Sequence, residues 1–175
     1  MNSRLQKAYD FVKEKHKDQK RKFTGVDYIT HLEDTAMLLW DSYDDAETDY
    51  FIAALLHDVV EDTTTDLKEV GQNFGKNVMD LVEELTSERN IKNKAEYLTY
   101  KMNRMSDTAF TIKLCDRLSN VMDLSDINVP ASFTTQYVKE TRDIMMHVDR
   151  KINDVQKSLL DRIQSMLLYL ELNNV

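Results

Sequence analysis

The spacing of apolar residues limits the folds open to this chain more than any other feature of its sequence. Apolar side chains recur every three or four positions, which is the spacing of a helix face, and no stretch shows the sustained alternation of a strand. Only three glycines and one proline interrupt this pattern. The sequence therefore predicts an all-α fold. We expect residues 1–175 to form a single-domain helical bundle, with a C-terminal helix over about residues 150–172 packed on the rest.

The balance of charge and hydropathy argues against two classes of partner. The chain has 23 basic and 31 acidic residues and a formal net charge of −8, whereas proteins that bind nucleic acids generally carry an excess of Lys and Arg. No window contains about 18 consecutive apolar residues, and the N-terminal stretch lacks the apolar core of a signal peptide. We therefore expect a cytoplasmic protein that binds neither nucleic acids nor membranes. The formation of a homo-oligomer stays open.

Basic residues are concentrated between Arg4 and Lys22, where they outnumber the acidic ones. Such a run usually forms a solvated helix face. It could also form a local rim that binds an anion, and the sequence leaves both interpretations open.

The run ALLHDVVEDT, residues 54–63, places four ionisable side chains within the most apolar helix that the sequence predicts. If residues 51–62 form one helix, His57, Asp58, Glu61 and Asp62 share an arc of roughly 140°. A solvated face would show the same number of polar residues. The flanking alanines, leucines and valines instead indicate a central helix, where unpaired carboxylates are costly. A divalent cation in front of this face would offset that cost.

A second predicted helix, FTIKLCDRLSNVMDL, has the same design. Lys113, Asp116, Arg117 and Asn120 lie on one stripe of this helix, and apolar residues cover the remaining surface. Cationic side chains and an amide suit phosphate and ribose oxygens, while the aspartate suits a metal or an arginine partner. An internal ion pair on a surface helix is the alternative, although two such helices in one small domain make it less attractive.

A metal site needs more ligands than one helix supplies, and His31 is the best placed of the remaining histidines. It follows a loop that contains Gly25, which could turn its side chain inward. Together with His57, Asp58 and Asp116 it would form a set of two imidazoles and two carboxylates. Such a set suits Mn²⁺, Fe²⁺ or Zn²⁺, and spacing alone does not choose among them.

The order of these residues resembles the HD superfamily of metal-dependent phosphohydrolases, and three segments narrow the resemblance to the RelA/SpoT family. RKFTGVDYITH resembles the family's RKxxGxPYxxH, HDVVEDT resembles HDxxEDT, and KLCDRLSN resembles KLADRLxN. The resemblance covers about residues 5–148. Asp27 and Leu32 stand where the family usually has proline, and Val121 and Met122 replace a common Met-Arg pair.

This resemblance implies an all-α, HD-type helical bundle that removes pyrophosphate from the 3′ position of (p)ppGpp, with one divalent ion, usually Mn²⁺. No synthetase or regulatory segment follows, so the chain looks like a small alarmone hydrolase. By resemblance the metal ligands are His31, His57, Asp58 and Asp116. Glu61 and Asp62 match the catalytic acids that position and deprotonate the attacking water.

The resemblance and the charge pattern together predict the contacts with a small-molecule nucleotide substrate. Arg21 matches an arginine that stacks on the base, Lys22 and Lys101 match lysines that contact phosphate, and Asn120 matches a residue near the ribose. Lys113 and Arg117 would add positive charge, and Thr141 would line the pocket.

Other functions remain open at this point. The same pocket could serve a ppApp-type alarmone, the 2′-phosphate of NADPH or a deoxynucleotide. A second alternative is a nucleotide-binding sensor without catalysis, which the retention of all ligands and both acids argues against. A third is a structural bundle whose polar clusters are internal salt bridges, and this last alternative predicts no stoichiometric metal ion.

Overall fold

The computed structural model describes residues 3–43, 47–88 and 90–173, and these ranges are mainly helical. The described helices are α1 (Ser3–Lys15), α2 (Ile29–Ser42), α3 (Thr48–Leu56), α4 (Val59–Asp62), α5 (Leu67–Phe74), α6 (Lys76–Leu85), α7 (Lys94–Met102), α8 (Asp107–Asp123), α9 (Ala131–Met146) and α10 (Asp154–Leu172). Within these ranges, β pairing is limited to an isolated bridge between Lys20 and Asp27. The predicted all-α bundle is confirmed. None of the helices listed above is long and apolar enough to cross a membrane.

Helix α8 is the central element of the bundle. Every residue from Ala109 to Ser119 is buried, and the helix packs against α2, α3, α6, α9 and α10. The polar side chains in its middle are therefore enclosed by protein on most sides. Because burying an unpaired charge is costly, these side chains need partners from the neighbouring helices.

The prediction of one continuous helix over residues 51–62 was wrong, because the helix breaks at His57 and Asp58. Helix α3 ends at Leu56 and α4 begins at Val59. Nδ1 of His57 lies 2.7 Å from the carbonyl oxygen of Ala54. In a continuous helix the amide of Asp58 would bond to this same carbonyl. The histidine side chain thus competes with the helical hydrogen bond at the place where the chain turns.

Helix α1 ends at Lys15, and His16, directly after it, turns into the protein. His16 is only 2% exposed, and its ring stacks on Tyr28 with the centroids 5.2 Å apart. Two basic side chains of α1 contact α5 instead of facing only solvent. Lys7 donates to the backbone carbonyl of Asn73, and Lys15 forms a salt bridge with Glu69. These contacts fasten α1 to α5.

Helix α10 is tied to α8 at its first turn. The side chain of Asn153 accepts the amide of Gln156, and the side chain of Gln156 accepts the amide of Asn153, which is a capping box. The side-chain NH₂ group of the buried Gln156 also donates to the backbone carbonyl of Asp107 (3.1 Å) and to the hydroxyl of Thr111 (3.2 Å). Further along, α10 buries Leu159, Ile163, Leu167 and Leu170.

We propose on these grounds that the C-terminal helix belongs to the same cooperative unit as the rest of the chain. Ile163 is fully buried, so Ile163→Ala should lower the free energy of unfolding by about 2–5 kcal/mol. Urea denaturation followed by circular dichroism should show this loss in a single transition. Leu168→Ala, in the same helix but at a side chain that is 53% exposed, is the matched control and should change stability by about 0.5 kcal/mol or less. Two separate transitions would contradict the proposal.

Candidate active site

Polar side chains from α2, α4, α7, α8 and α9 line a pocket of about 590 Å³, called here the main pocket. Most of the residues predicted for the site contribute to its wall, namely His31, Asp58, Glu61, Asp62, Lys113, Asp116, Arg117 and Asn120. Their positions in the chain span 90 residues, from 31 to 120. The folding of α2, α4 and α8 around one cavity brings them together.

The four residues predicted as metal ligands lie close together; His31, Asp58 and Asp116 form part of this wall, and the buried His57 lies next to Asp58. Nε2 of His31 lies 3.2 Å from Oδ1 of Asp116 and 3.7 Å from Oδ2 of Asp58. Nε2 of His57 lies 3.0 Å from Oδ2 of Asp58 and 3.7 Å from Oδ1 of Asp116. Ligand atoms of His31, His57 and Asp58 all lie within 4.8 Å of one another. Two nitrogens and two oxygens therefore surround a space of the size that one cation needs.

Hydrogen bonds at the far side of each ring fix the orientation of the two imidazoles. Nδ1 of His57 lies 2.7 Å from the carbonyl oxygen of Ala54, so this nitrogen donates and Nε2 keeps a free lone pair when the ring is neutral. Nδ1 of His31 lies 2.9 Å from the hydroxyl of Ser119. Support of this kind is typical of histidines that bind metals. Ser119 was missed by the sequence analysis.

The electrostatics of the cluster favour a cation. Burial would lower the pKa of His57, but the carboxylates of Asp58 and Asp116 outweigh this effect and raise the pKa to about 10. Burial would likewise raise the pKa of Asp116, yet the Lys113 ammonium and the two imidazoles hold it well below its usual range. Nε2 of His57 is buried without a hydrogen-bond partner in the described part of the chain. These residues thus fit a divalent ion with mixed nitrogen and oxygen ligands.

The two predicted catalytic acids lie on α4 and face the same pocket. Oε1 of Glu61 accepts the backbone amide of Ser87 at 2.5 Å, and Oδ2 of Asp62 accepts the hydroxyl of Tyr28 at 3.1 Å. Burial raises the pKa of Glu61 against the opposing effect of the Lys113 ammonium. Burial and the neighbouring Asp58 raise the pKa of Asp62. Both carboxyl groups are therefore shifted toward the range in which a carboxylate accepts a proton well.

Two buried cations of α8 face the pocket from the side of α9. Nζ of Lys113 lies 2.9 Å from Oδ2 of Asp116. Arg117 is held by Glu140 at 3.5 Å and by the hydroxyl of Thr141 at 3.3 Å, and its guanidinium lies over the ring of Tyr137. Thr141 itself is fully buried and does not appear in the wall of the main pocket. Its place is behind Arg117, so a direct contact with the substrate stays a prediction.

Arg21 and Lys22 line a second, smaller cavity of about 220 Å³, called here the aromatic pocket. The aromatic pocket and the main pocket share Tyr28, Asn120 and Tyr137 in their walls. Nη2 of Arg21 lies 3.0 Å from Oδ1 of Asn120 and 2.5 Å from Oδ2 of Asp123. The ammonium of Lys22 lies over the rings of Phe23 and Phe133.

Lys101 is not brought to either of these pockets. It lines a third cavity of about 370 Å³ beside Thr86, Tyr100 and Arg104, and its ammonium donates to the carbonyl of Thr86. Burial and the charge of Lys113 lower the pKa of Lys101 to about 8. Its contact with phosphate stays a prediction.

Tyr28 has a place in the site that the sequence analysis did not assign, although the residue belongs to the quoted segment YITH. Its hydroxyl lies 2.6 Å from Oδ2 of Asp58 and 3.1 Å from Oδ2 of Asp62. Burial and the nearby carboxylates raise the pKa of Tyr28 far above its usual value, so the phenol stays protonated and acts as a hydrogen-bond donor. One hydroxyl thus connects a predicted metal ligand with a predicted catalytic acid. No local spacing in the sequence indicates this contact.

We expect Tyr28→Phe to lower the affinity for Mn²⁺ about 10–100-fold, because the variant removes the donor that orients Asp58. Isothermal titration calorimetry measures the affinity, and circular dichroism checks that the fold is kept. Tyr169→Phe, at a half-exposed position of α10, is the matched control and should bind Mn²⁺ as the wild type does. An unchanged affinity in Tyr28→Phe would refute this role.

The comparison with known protein families agrees with the geometry. The profile of the HD-domain family matches residues 8–151. A guanosine-3′,5′-bis(diphosphate) 3′-pyrophosphohydrolase from Aquifex aeolicus is 44% identical over 125 residues, which are 69% of this chain and 18% of that protein. The chain thus spans less than a fifth of that relative.

Two further proteins are similar over almost their whole length. The human guanosine-3′,5′-bis(diphosphate) 3′-pyrophosphohydrolase MESH1 is 32% identical over 170 residues, covering 94% of this chain and 93% of the human one. A solved structure described as a metazoan ortholog of SpoT that hydrolyzes ppGpp superposes with a TM-score of 0.83 at 26% identity, covering 94% of this chain and 96% of the other. These matches confirm the resemblance inferred from the three segments. The chain belongs to the HD-domain family and, within it, to the RelA/SpoT-like group that contains the MESH1 proteins.

Proposed function

We propose that this protein is a metal-dependent guanosine-3′,5′-bis(diphosphate) 3′-pyrophosphohydrolase. It would hydrolyse (p)ppGpp to GDP or GTP and pyrophosphate. The observation that carries the proposal is the cluster of His31, His57, Asp58 and Asp116, three of which line a pocket that also contains Glu61 and Asp62. The activities of the relatives that align over most of this chain support the same assignment.

One divalent ion would be held by His31, His57, Asp58 and Asp116. These ligands suit Mn²⁺, Fe²⁺ or Zn²⁺, and we propose Mn²⁺ because it is the usual ion of the RelA/SpoT family. Such an ion, when bound, polarises a phosphoryl oxygen and lowers the pKa of water. The protein supplies the orientation of the ligands through Ser119 and the Ala54 carbonyl. Loss of the ion should therefore abolish activity.

Glu61 and Asp62 would position a water molecule and accept its proton as it attacks the phosphorus attached to the 3′ oxygen. The bond between that phosphorus and the 3′ oxygen would break, and pyrophosphate would leave. A general base of this kind typically contributes about 10²–10⁴-fold to the rate. Direct attack by water suits the site, because the one cysteine of the chain, Cys115, is fully buried and does not line the main pocket.

The two pockets would divide the nucleotide between them. The main pocket contains the cations Lys113 and Arg117, which would receive the phosphates. The aromatic pocket contains Phe23, Phe133 and Arg21, on which a base could stack. Since the protein carries a net charge of −8, these local cations are needed to attract a polyanionic substrate.

Product analysis is the direct test of this function. Purified protein with Mn²⁺ should release GDP and pyrophosphate from ppGpp, and EDTA should stop the reaction. Parallel reactions contain ppApp, NADPH and deoxynucleoside triphosphates. Turnover of one of these compounds without cleavage of ppGpp would reassign the substrate, and binding of nucleotide without any turnover would favour a sensor.

Asp116→Ala should lose the metal ion and the activity together, because Oδ1 of Asp116 lies 3.2 Å from Nε2 of His31 and 3.7 Å from Nε2 of His57 and is one of the four predicted ligand atoms. Metal content by atomic emission and turnover of ppGpp provide the two readouts. Asp126→Ala, at a half-buried side chain in the turn after α8, is the control and should keep both. An Asp116→Ala protein that retained a stoichiometric ion would show that this ligand set is wrong.

The double variant Glu61→Gln, Asp62→Asn should behave differently. It leaves all four ligands in place, so it should keep the metal ion, but it removes both proton acceptors and should lower kcat about 10²–10⁴-fold. The same two assays apply. Hydrolysis at the wild-type rate would show that another group is the base.

A further inference from the structure

Asp123 is a carboxylate in the aromatic pocket whose presence the proposed hydrolysis does not explain. It is the last residue of α8 and lines the pocket beside Phe133 and Tyr137. A negative charge at this place should weaken the binding of a polyanionic nucleotide unless it makes a specific contact. The presence of the Asp123 carboxylate in this pocket therefore needs an explanation beyond the proposed hydrolysis.

The hydrogen bonds of Asp123 leave one of its oxygens available. Nε and Nη2 of Arg21 both donate to Oδ2, at 2.9 and 2.5 Å. In the parts of the chain that the structure describes, no side chain or backbone group donates to Oδ1. Asp123 lines the aromatic pocket and its side chain is 37% exposed, so a ligand in the pocket can approach the carboxylate. Arg21 also holds the carboxylate in one orientation, which prepares it to accept further donors.

Most of the other polar side chains that the structure describes in this wall already have partners, and the buried hydroxyl of Thr24 is the exception. The amide of Asn120 donates to Asp116 at 2.6 Å, and its oxygen accepts from Arg21 at 3.0 Å. The ammonium of Lys22 lies over two aromatic rings. Among the described residues of this wall Asp123 is the one carboxylate, so it is the acceptor best suited to two neighbouring N–H groups on the edge of a stacked base.

Guanine and adenine differ in the hydrogen-bonding groups that they present to a carboxylate. Guanine presents two neighbouring N–H donors on its Watson–Crick edge, N1 and N2, and a carboxylate accepts both. Adenine presents a bare nitrogen acceptor at N1, which a carboxylate repels. A contact of this kind typically distinguishes the two bases by roughly 10- to 100-fold.

We propose that Asp123 selects guanine over adenine nucleotides by accepting the N1 and N2 hydrogens of the base in the aromatic pocket. This inference rests on the proposed function, because it requires the base to lie in that pocket while the phosphates lie in the main pocket. Asp123 thus has two partners, Arg21 on Oδ2 and the base on Oδ1. The protein would be a hydrolase of guanosine alarmones and a poor one of their adenosine counterparts.

The test compares two substrates and two products in three proteins. We measure kcat/KM for ppGpp and ppApp, and the dissociation constants of GDP and ADP, for the wild type, Asp123→Asn and Asp126→Asn. The wild type should prefer guanine roughly 10- to 100-fold. Asp123→Asn keeps an oxygen for Arg21 but introduces N–H donors, so its preference should fall to about threefold or less, mainly through KM. Asp126→Asn should keep the wild-type preference.

The variant Arg21→Ala distinguishes recognition of the base by Asp123 from stacking of the base on Arg21. Stacking tolerates any base, so this variant should weaken guanine and adenine nucleotides by a similar factor and leave much of the preference intact. If Asp123→Asn also weakened both bases equally, Asp123 would only position Arg21 and the proposal would be wrong. A wild type with no preference would overturn it as well.

The failure of the proposed function gives a different result. If the wild type cleaved neither alarmone, the proposed activity would fail, while the ratio of GDP to ADP binding would still decide the role of Asp123. Absence of binding by both GDP and ADP would refute the placement of the base and with it this inference.

Discussion

The site depends on the burial of the Asp116 carboxylate in the middle of α8. Lys113 and the amide of Asn120 donate to it, at 2.9 and 2.6 Å, and the imidazoles of His31 and His57 face it. A buried charge is stable only where cations and donors surround it. The packing of α2 and α3 against α8 therefore does more than bury apolar surface, because it also brings both imidazoles to this carboxylate.

One hydrogen-bond chain connects the two pockets. Arg21 donates to the oxygen of Asn120, and the amide of Asn120 donates to Asp116. Arg21, which would stack on the base, is thus connected through Asn120 to a residue of the predicted metal set. Tyr28 provides a second connection, since its hydroxyl contacts Asp58 and Asp62 while its ring forms part of both walls. Hydrogen bonds therefore connect the residues of the two pockets.

Much of the site could be predicted because its residues lie in three short segments with characteristic spacing. The four predicted metal ligands and the two predicted acids lie in these segments, and the structure places them close together at the main pocket. Two residues predicted to contact the substrate do not line the main pocket. Lys101 lines another cavity, and Thr141 lies behind Arg117. The break at His57 was missed because a side chain competes there for a backbone carbonyl, and apolar periodicity carries no sign of such competition.

The sequence by itself determined the helical class, the apolar faces that form the core, and the identity of the ionisable residues that these faces bury. These properties are local, because helix periodicity and residue type can be read within a single segment. Only the tertiary structure decided which of those residues meet. The contacts of Tyr28 with Asp58, of Arg21 with Asp123 and of His31 with Ser119 join residues that are 30, 102 and 88 positions apart. Their physical reason is the packing of α2, α3 and the loop before α2 on α8, and no single segment contains it.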